Sequence, residues 1–295
     1  MFIIKYKKIF FAIAVILVGS AIGLVVSRGF NWGVDFTGGS VLEVAYENRP
    51  NISLVKGYVL PVRPDAQIQE IGTNGFMIRT EVIDQAQKDA LLQALTVDGN
   101  TATEKRFNTI GPSVGKELRS KALTSVIIVS IAIILFIAFA FRGVSKPISS
   151  WVYGIIAIVV LVHDVLIPAG FFALTGMQVD TLFVVGILTI LGVSINDTIV
   201  VFDRIRENLH MNEIKHHKED FAHTVGKSIN QTFVRSLMTS VTVLIALGAL
   251  YVWGPETTKT LSISMFLGMF FGTYSSIFLA SPLLVVWNNW KMKKA

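Results

Sequence analysis

Hydrophobic positions in this chain fall in long unbroken runs, unlike the alternating or helical-period patterns of a water-soluble domain. Six runs, over residues 9–26, 123–141, 151–174, 181–202, 236–253 and 261–287, have about the 20-residue length that crosses a bilayer as a helix. The fourth carries polar residues near its end, the fifth is short, and the last is long enough to tilt. Between the first and second runs, over residues 28–121, the pattern changes. Residues 41–46 alternate as a strand after the turn-forming Gly38-Gly39. Residues 52–59 are weakly helical. Residues 66–71 and 76–82 read as strands joined by a Gly72-Thr73-Asn74-Gly75 hairpin turn. Residues 84–95 predict a helix, with Asp84 as cap and Ala90, Leu91, Ala94 and Leu95 on one face. Residues 103–110 form a last strand. The order β-α-β-β-α-β is that of a ferredoxin-like split βαβ domain.

The predicted fold class is therefore an α-helical polytopic membrane protein of six transmembrane helices with one small α+β external domain. Residues 1–27 form the N-terminus and first span, 28–121 the external domain, and 122–295 five further spans with their loops. Gly111-Pro112-Ser113 opens a helix, with Ser113 as candidate cap, that runs through residues 114–122 into the second span without a breaker. A stiff helix of this kind can transmit movement of the spans to the domain.

Composition agrees. The chain is 52% hydrophobic and 16% charged, against about 25% charge for soluble domains. There is no cysteine, which excludes disulfides and thiolate-held metal. The net charge of +6 could point to nucleic acid, but its placement points to topology. The N-terminus, residues 142–150, residues 203–235 and the tail after Trp287 carry fourteen Lys and Arg, whereas residues 175–180 and 254–260 carry only Lys259. The positive-inside rule then puts both termini in the cytoplasm and residues 28–121 outside. Lys5, Lys7 and Lys8 before the first run also suit a signal peptide. The run is longer than a signal-peptide core and no A-x-A site follows, so it reads as an uncleaved anchor.

Charge inside a span is costly and marks function by default. The third run holds His163-Asp164, the fourth Asn196-Asp197, and Arg235 opens the fifth on the cytoplasmic side. In hydrocarbon a carboxylate is disfavoured and a nearby cation restores it, so Asp197 balanced by Arg235 can load a proton on one side and release it on the other. Asn196 can hydrogen-bond either state, and His163 is of a type that titrates near neutrality. Pro168 removes the helical partner of the Asp164 carbonyl. Asp203, Arg204 and Arg206 read as edge charges that snorkel. The Gly19/Gly23 and Gly268/Gly272 pairs read as helix-packing positions.

Other chemistries fail on spacing. Gly226-Lys227-Ser228 resembles the end of a phosphate-binding loop, but Phe221 stands where its first glycine belongs. There is no H-E-x-x-H or G-x-S-x-G, and His216, His217 and His223 lie in a charged, solvated stretch. No hydrolytic site is expected, leaving an ion gradient as the energy source.

The residues 31–40 (NWGVDFTGGS), 110–118 (IGPSVGKEL), 162–164 (VHD) and 192–208 (GVSINDTIVVFDRIREN) occur in order and at matching topological places. Together they closely resemble the SecF family, the smaller membrane subunit of the bacterial SecD–SecF protein-export complex, over nearly the whole chain. The resemblance implies a proton-driven machine of the RND superfamily in the cytoplasmic (inner) membrane. It implies pairing with a six-span SecD and use of the proton-motive force to help draw preproteins through SecYEG after SecA has acted. YajC is a further partner of that assembly. No cofactor and no nucleic acid are expected. The family's membrane carboxylate falls on Asp197 and its fifth-span arginine on Arg235, with His163, Asp164 and Asn196 shaping the polar path. Asp35, Gly38 and Gly39 fall in the external glycine motif. Val193 stands where many relatives have Tyr. A small-molecule or lipid exporter using the same engine is the alternative. It predicts a second large external domain.

Overall fold

A backbone crossing hydrocarbon must satisfy its own hydrogen bonds, so uninterrupted apolar runs become helices. The computed structural model describes residues 2–96, 99–141, 147–217 and 219–294. Six of its helices are long and apolar enough to cross a membrane: Lys7–Arg28, Pro112–Ala140, Ser150–Thr175, Thr181–Ile214, Phe221–Trp253 and Glu256–Lys293. We call them spans one to six. Two compact units result, Trp32–Leu123 and the membrane unit of Met1–Asn31 with Thr124–Ala295. In the membrane unit, spans three, four and six are the most buried, and spans one, two and five the least.

Several expectations change in the helical unit. Residues 203–235, read from their charge as a loop, are helical up to Ile214 and again from Phe221. The stripe Val201, Phe202, Ile205 and Asn208 stays buried, as do Phe221, Thr224, Val225, Ser228 and Ile229 across the turn. Charged residues on the outer faces of two packed helices do not break them. Span six is not uniform: α-helix Lys259–Ser275 passes into a π-helical segment Ser276–Ala280, then α-helix Ser281–Lys294. Helix Pro112–Ala140 is unbroken, with Pro112 as its first residue, so Ser113 sits inside the first turn and is not the cap. Gly268 and Gly272 are tight packing positions, where a Cβ would lie 2.1 Å from Ile190 and 3.0 Å from Ser194. Gly19 and Gly23 are not, because a Cβ there meets nothing within 4 Å; the packed face of span one is that of Ala14 and Ala21, the latter against Gly170.

Span two docks in the membrane unit through its C-terminal end. The Phe141 ring stacks on Tyr153 at 5.3 Å and meets Phe202 edge-on. The Arg206 guanidinium donates to the Ala140 carbonyl at 3.3 Å and lies 5.5 Å from the Phe141 ring centre. The last carbonyls of a helix lack partners, and a cation there satisfies them.

The smaller unit, called the external unit after its expected location, holds strands β1 (Gly39–Ala45), β2 (Gln67–Ile71), β3 (Gly75–Thr80) and β4 (Thr103–Ile110). They pair in the order β2-β3-β1-β4, every neighbour antiparallel. Helices Ile52–Val59 and Gln85–Ala94 connect β1 to β2 and β3 to β4. Asp84 and Gln87 form a reciprocal capping box on the second helix. Leu42, Val44, Val55, Val59, Phe76, Ile78, Leu91 and Leu95 form the core with Tyr46, whose hydroxyl donates to the Leu95 carbonyl at 2.7 Å.

A short helix, Val34–Thr37, went unforeseen. It ends at Gly38 and Gly39, whose φ values of 78° and 134° suit glycine. A Cβ on Gly38 would lie 2.7 Å from the Pro112 Cα, and one on Gly115 2.8 Å from the Gly38 nitrogen. The 33–39 and 110–118 motifs are thus two halves of one joint, backbone against backbone. Arg119 adds a cation–π contact on Trp32 at 4.4 Å.

Candidate functional site

Small and hydroxylated residues on the buried faces of spans three to six let these helices approach closely and keep polar groups between them. On span three, Asp164 is fully buried. His163 Nδ1 lies 2.9 Å from one of its oxygens, and the Ser194 hydroxyl of span four donates to the other. The His163 ring stacks on Tyr274 at 6.0 Å, and its Nε2 is buried with no partner among the described residues. Tyr274 in turn donates to the Phe10 carbonyl of span one at 2.8 Å. Gly272 leaves the room in which span six meets Ser194 and Asp164. One turn further along span four, Thr198 bonds Ser276 at 2.9 Å, where the π-helical segment begins. Such segments are frequent at functional sites.

Asp197 lies on the same buried side of span four, 6% exposed. Its hydrogen bond comes from Ser240 of span five, at 3.2 Å, and Ser240 also donates to the Ser236 carbonyl. The structure therefore brings together Asp164, His163 and Ser194 around one carboxylate, and Asp197 with Ser240 around another.

Two predicted members stand apart. Asn196 is exposed, since a step of one residue turns a helix by about 100° and Asp197 faces inward. Arg235 is also exposed and forms no ion pair among the described residues, so the cation expected beside Asp197 is replaced there by the Ser240 hydroxyl. Arg206 and Asp203 pair with each other at 2.6 Å, and Arg204 pairs with Glu207, in keeping with edge positions. Gly226-Lys227-Ser228 lies inside helix Phe221–Trp253, so no phosphate-cradling loop exists there. His223 pairs with Glu219. Asp35 sits in the first turn of Val34–Thr37, immediately before the Gly38–Gly39 joint. Ser194, Thr198, Ser240, Ser276 and Tyr274 were missed by sequence reasoning. The available signal was a recurrence of hydroxyls at three- and four-residue spacing inside apolar runs.

The comparisons with known proteins agree on one family. Residues 90–290 match the model of the SecD/SecF protein export membrane protein C-terminal region, and residues 23–48 match the SecD/SecF GG motif. The protein translocase subunit SecF of Sebaldella termitidis is 34% identical, over 98% of this chain and 92% of that protein. The protein translocase subunit SecDF of Thermus thermophilus is 33% identical over 94% of this chain but only 37% of its own length. The crystal structure of the Thermus SecDF, described as a translocon-associated membrane protein, superimposes with a TM-score of 0.86 at 32% identity. That match covers 97% of this chain and 38% of the other. The chain belongs to the SecD/SecF family of protein-export membrane proteins, as a SecF.

Proposed function

We propose that this chain, an accessory subunit of Sec protein export, couples the proton-motive force to late preprotein movement across the bacterial cytoplasmic membrane. It acts beside SecD, with the SecYEG channel and its SecA motor, and has no hydrolytic site of its own. The fused SecDF of Thermus thermophilus supports the pairing with SecD. The observation that carries the reading is Asp197, a carboxylate buried within span four with the Ser240 hydroxyl as its hydrogen-bond partner among the described residues. An isolated carboxylate in such a place is an expensive way to hold helices together, and its charge can be neutralised only by a proton or a cation. One charge moved through 100 mV is worth about 2.3 kcal/mol, enough to bias a two-state rearrangement more than tenfold.

Asn196 and Arg235, exposed on the faces of two spans, support a site that SecD completes from outside this chain. Asp164 and His163 serve as a second polar station. The β-α-β-β-α-β order and the sheet order β2-β3-β1-β4 support a ferredoxin-like external domain, and the distribution of Lys and Arg supports cytoplasmic termini. The test is Asp197→Asn in the SecD complex reconstituted with SecYEG and SecA. ATP-driven translocation should persist while the increment from an imposed proton gradient disappears. An undiminished increment would falsify the proton role.

A further inference from the structure

Span five buries an unusual face. Thr224, Ser228, Thr232, Ser236 and Ser240 recur at every fourth residue, and all five are buried. On an α-helix they form one row that winds about 40° around the axis at each step, with successive members about 6 Å apart along the axis and the whole row about 24 Å long. Its inner end is the Ser240–Asp197 hydrogen bond. Its outer end is Glu219, which accepts from Thr224 at 3.0 Å and Asn212 at 2.9 Å and touches the half-exposed His223.

Part of the line is paired with span four: Ser240 donates to Asp197, the Asn208 amide donates to Ser228 at 2.8 Å, and the Asn212 amide donates to Thr224 at 3.1 Å. Within span five, Ser228 also donates to the Thr224 carbonyl and Thr232 to the Ser228 carbonyl. Ser236 is 2% exposed, and its hydroxyl has no partner of any kind among the described residues. A buried hydroxyl left unpaired costs about 1–3 kcal/mol, which a water molecule bridging to its neighbours removes. The gap between Thr232 and Ser240, centred on Ser236, is where a bridging water would complete the row.

We propose that this hydroxyl line is a hydrated proton path linking Asp197 to the Glu219–His223 pair at the cytoplasmic surface, with water as its ligand. It rests on the reading of Asp197 as a proton carrier and supplies the exit half of that site. The protonated carboxyl of Asp197 releases its proton to the adjoining water. Each water or hydroxyl along the line then breaks one O–H bond as it forms another. Glu219 or bulk water takes the last proton, so the net change is one proton moved and one carboxylate regenerated.

The chain has no cysteine, so single-cysteine variants of the full chain in its SecD complex report cleanly. Ser228→Cys, Thr232→Cys and Ser236→Cys are placed in inside-out membrane vesicles and treated with a membrane-impermeant cationic methanethiosulfonate. Val225→Cys and Ile229→Cys, buried on the same helix, are the dry controls. Only a thiolate reacts, and a dry apolar site suppresses it. The line positions should therefore react at least about tenfold faster than the controls, one tenfold step per unit of thiol pKa. Equal rates mean a dry line and overturn the path, whatever Asp197→Asn shows. In a second arm, the double variant Thr232→Val with Ser236→Ala should lose most proton-driven export while keeping ATP-driven translocation. Wild-type proton-driven export in that variant also overturns the path.

Discussion

The joint between the glycine motif and the start of span two makes a quantitative demand on Gly38. An alanine there must keep φ near 78°, which costs a non-glycine residue about 1 kcal/mol or more. Its Cβ must also lie 2.7 Å from the Pro112 Cα and 2.9 Å from the Pro112 nitrogen, both backbone atoms of a helix terminus that cannot rotate away. Overpacking of that kind costs a further 1–3 kcal/mol, roughly. Gly38→Ala should therefore destabilise the external unit by about 2–4 kcal/mol. At about 4–8 °C per kcal/mol for a domain of this size, its Tm falls by roughly 10 °C or more. Gly57 is the control. It lies inside helix Ile52–Val59 with nothing within 4 Å of an added Cβ, so Gly57→Ala should gain up to about 1 kcal/mol from helix propensity. Gly115→Ala lies between, because its clash with Gly38 is offset by the same helical gain. The assay is a thermal ramp of the full chain in detergent, with a brief protease pulse at each temperature and the external unit followed by its fragments. Gly38→Ala with a wild-type Tm, or Gly57→Ala as unstable as Gly38→Ala, would refute the backbone-to-backbone joint.

Three further outcomes are expected. Asp84→Ala removes half of the capping box and should cost the external unit about 1 kcal/mol in the same proteolytic assay. Burial pushes the Tyr46 phenol up to about 12, whereas the unfolded chain releases that proton near pH 10. The unfolded state then binds fewer protons than the folded one, so Tyr46-dependent stability is present below about pH 10 and is lost toward pH 12. Tyr46→Phe should show a shallower alkaline loss of denaturant midpoint than wild type, from a starting point lowered by about 1 kcal/mol for the missing hydrogen bond. Gly268→Ala should lower the detergent Tm of the membrane unit through its clash with Ile190, and Ile190→Ala added to it should recover part of the loss, while Gly19→Ala changes nothing.

The spans were legible because a long apolar run has one structural solution in lipid, and the external strands because turn residues such as Gly72-Thr73-Asn74-Gly75 bracket alternating segments. The extensions of spans four and five beyond their apolar runs were not. Arg204, Arg206, Lys215 and Lys227 raise polarity without breaking the helical period of Phe202, Ile205 and Leu209 or of Phe221, Val225 and Ile229. The burial of two carboxylates was legible from the sequence, since Asp164 and Asp197 stand out in apolar surroundings. Their partners were not, because Ser194, Ser240 and Ser276 look like ordinary membrane serines until the facing helix is known. Adjacency in sequence also misled. Asn196 next to Asp197 suggested one site, yet neighbours on a helix face different ways. Arg235 precedes Ser240 by five residues and so leaves the face that Ser240 occupies.

Span two is a rod with unequal ends. Its 29 residues make a helix about 43 Å long. At one end the Phe141 ring is wedged by Tyr153, Phe202 and Arg206. At the other, Pro112 and Gly115 are bolted to the 33–39 segment. Along the arm between them few side chains are held. Arg206 sits two to three helical turns from Asp197 on the same continuous helix, so the cation that satisfies the last carbonyls of span two and the buried carboxylate are carried by one element.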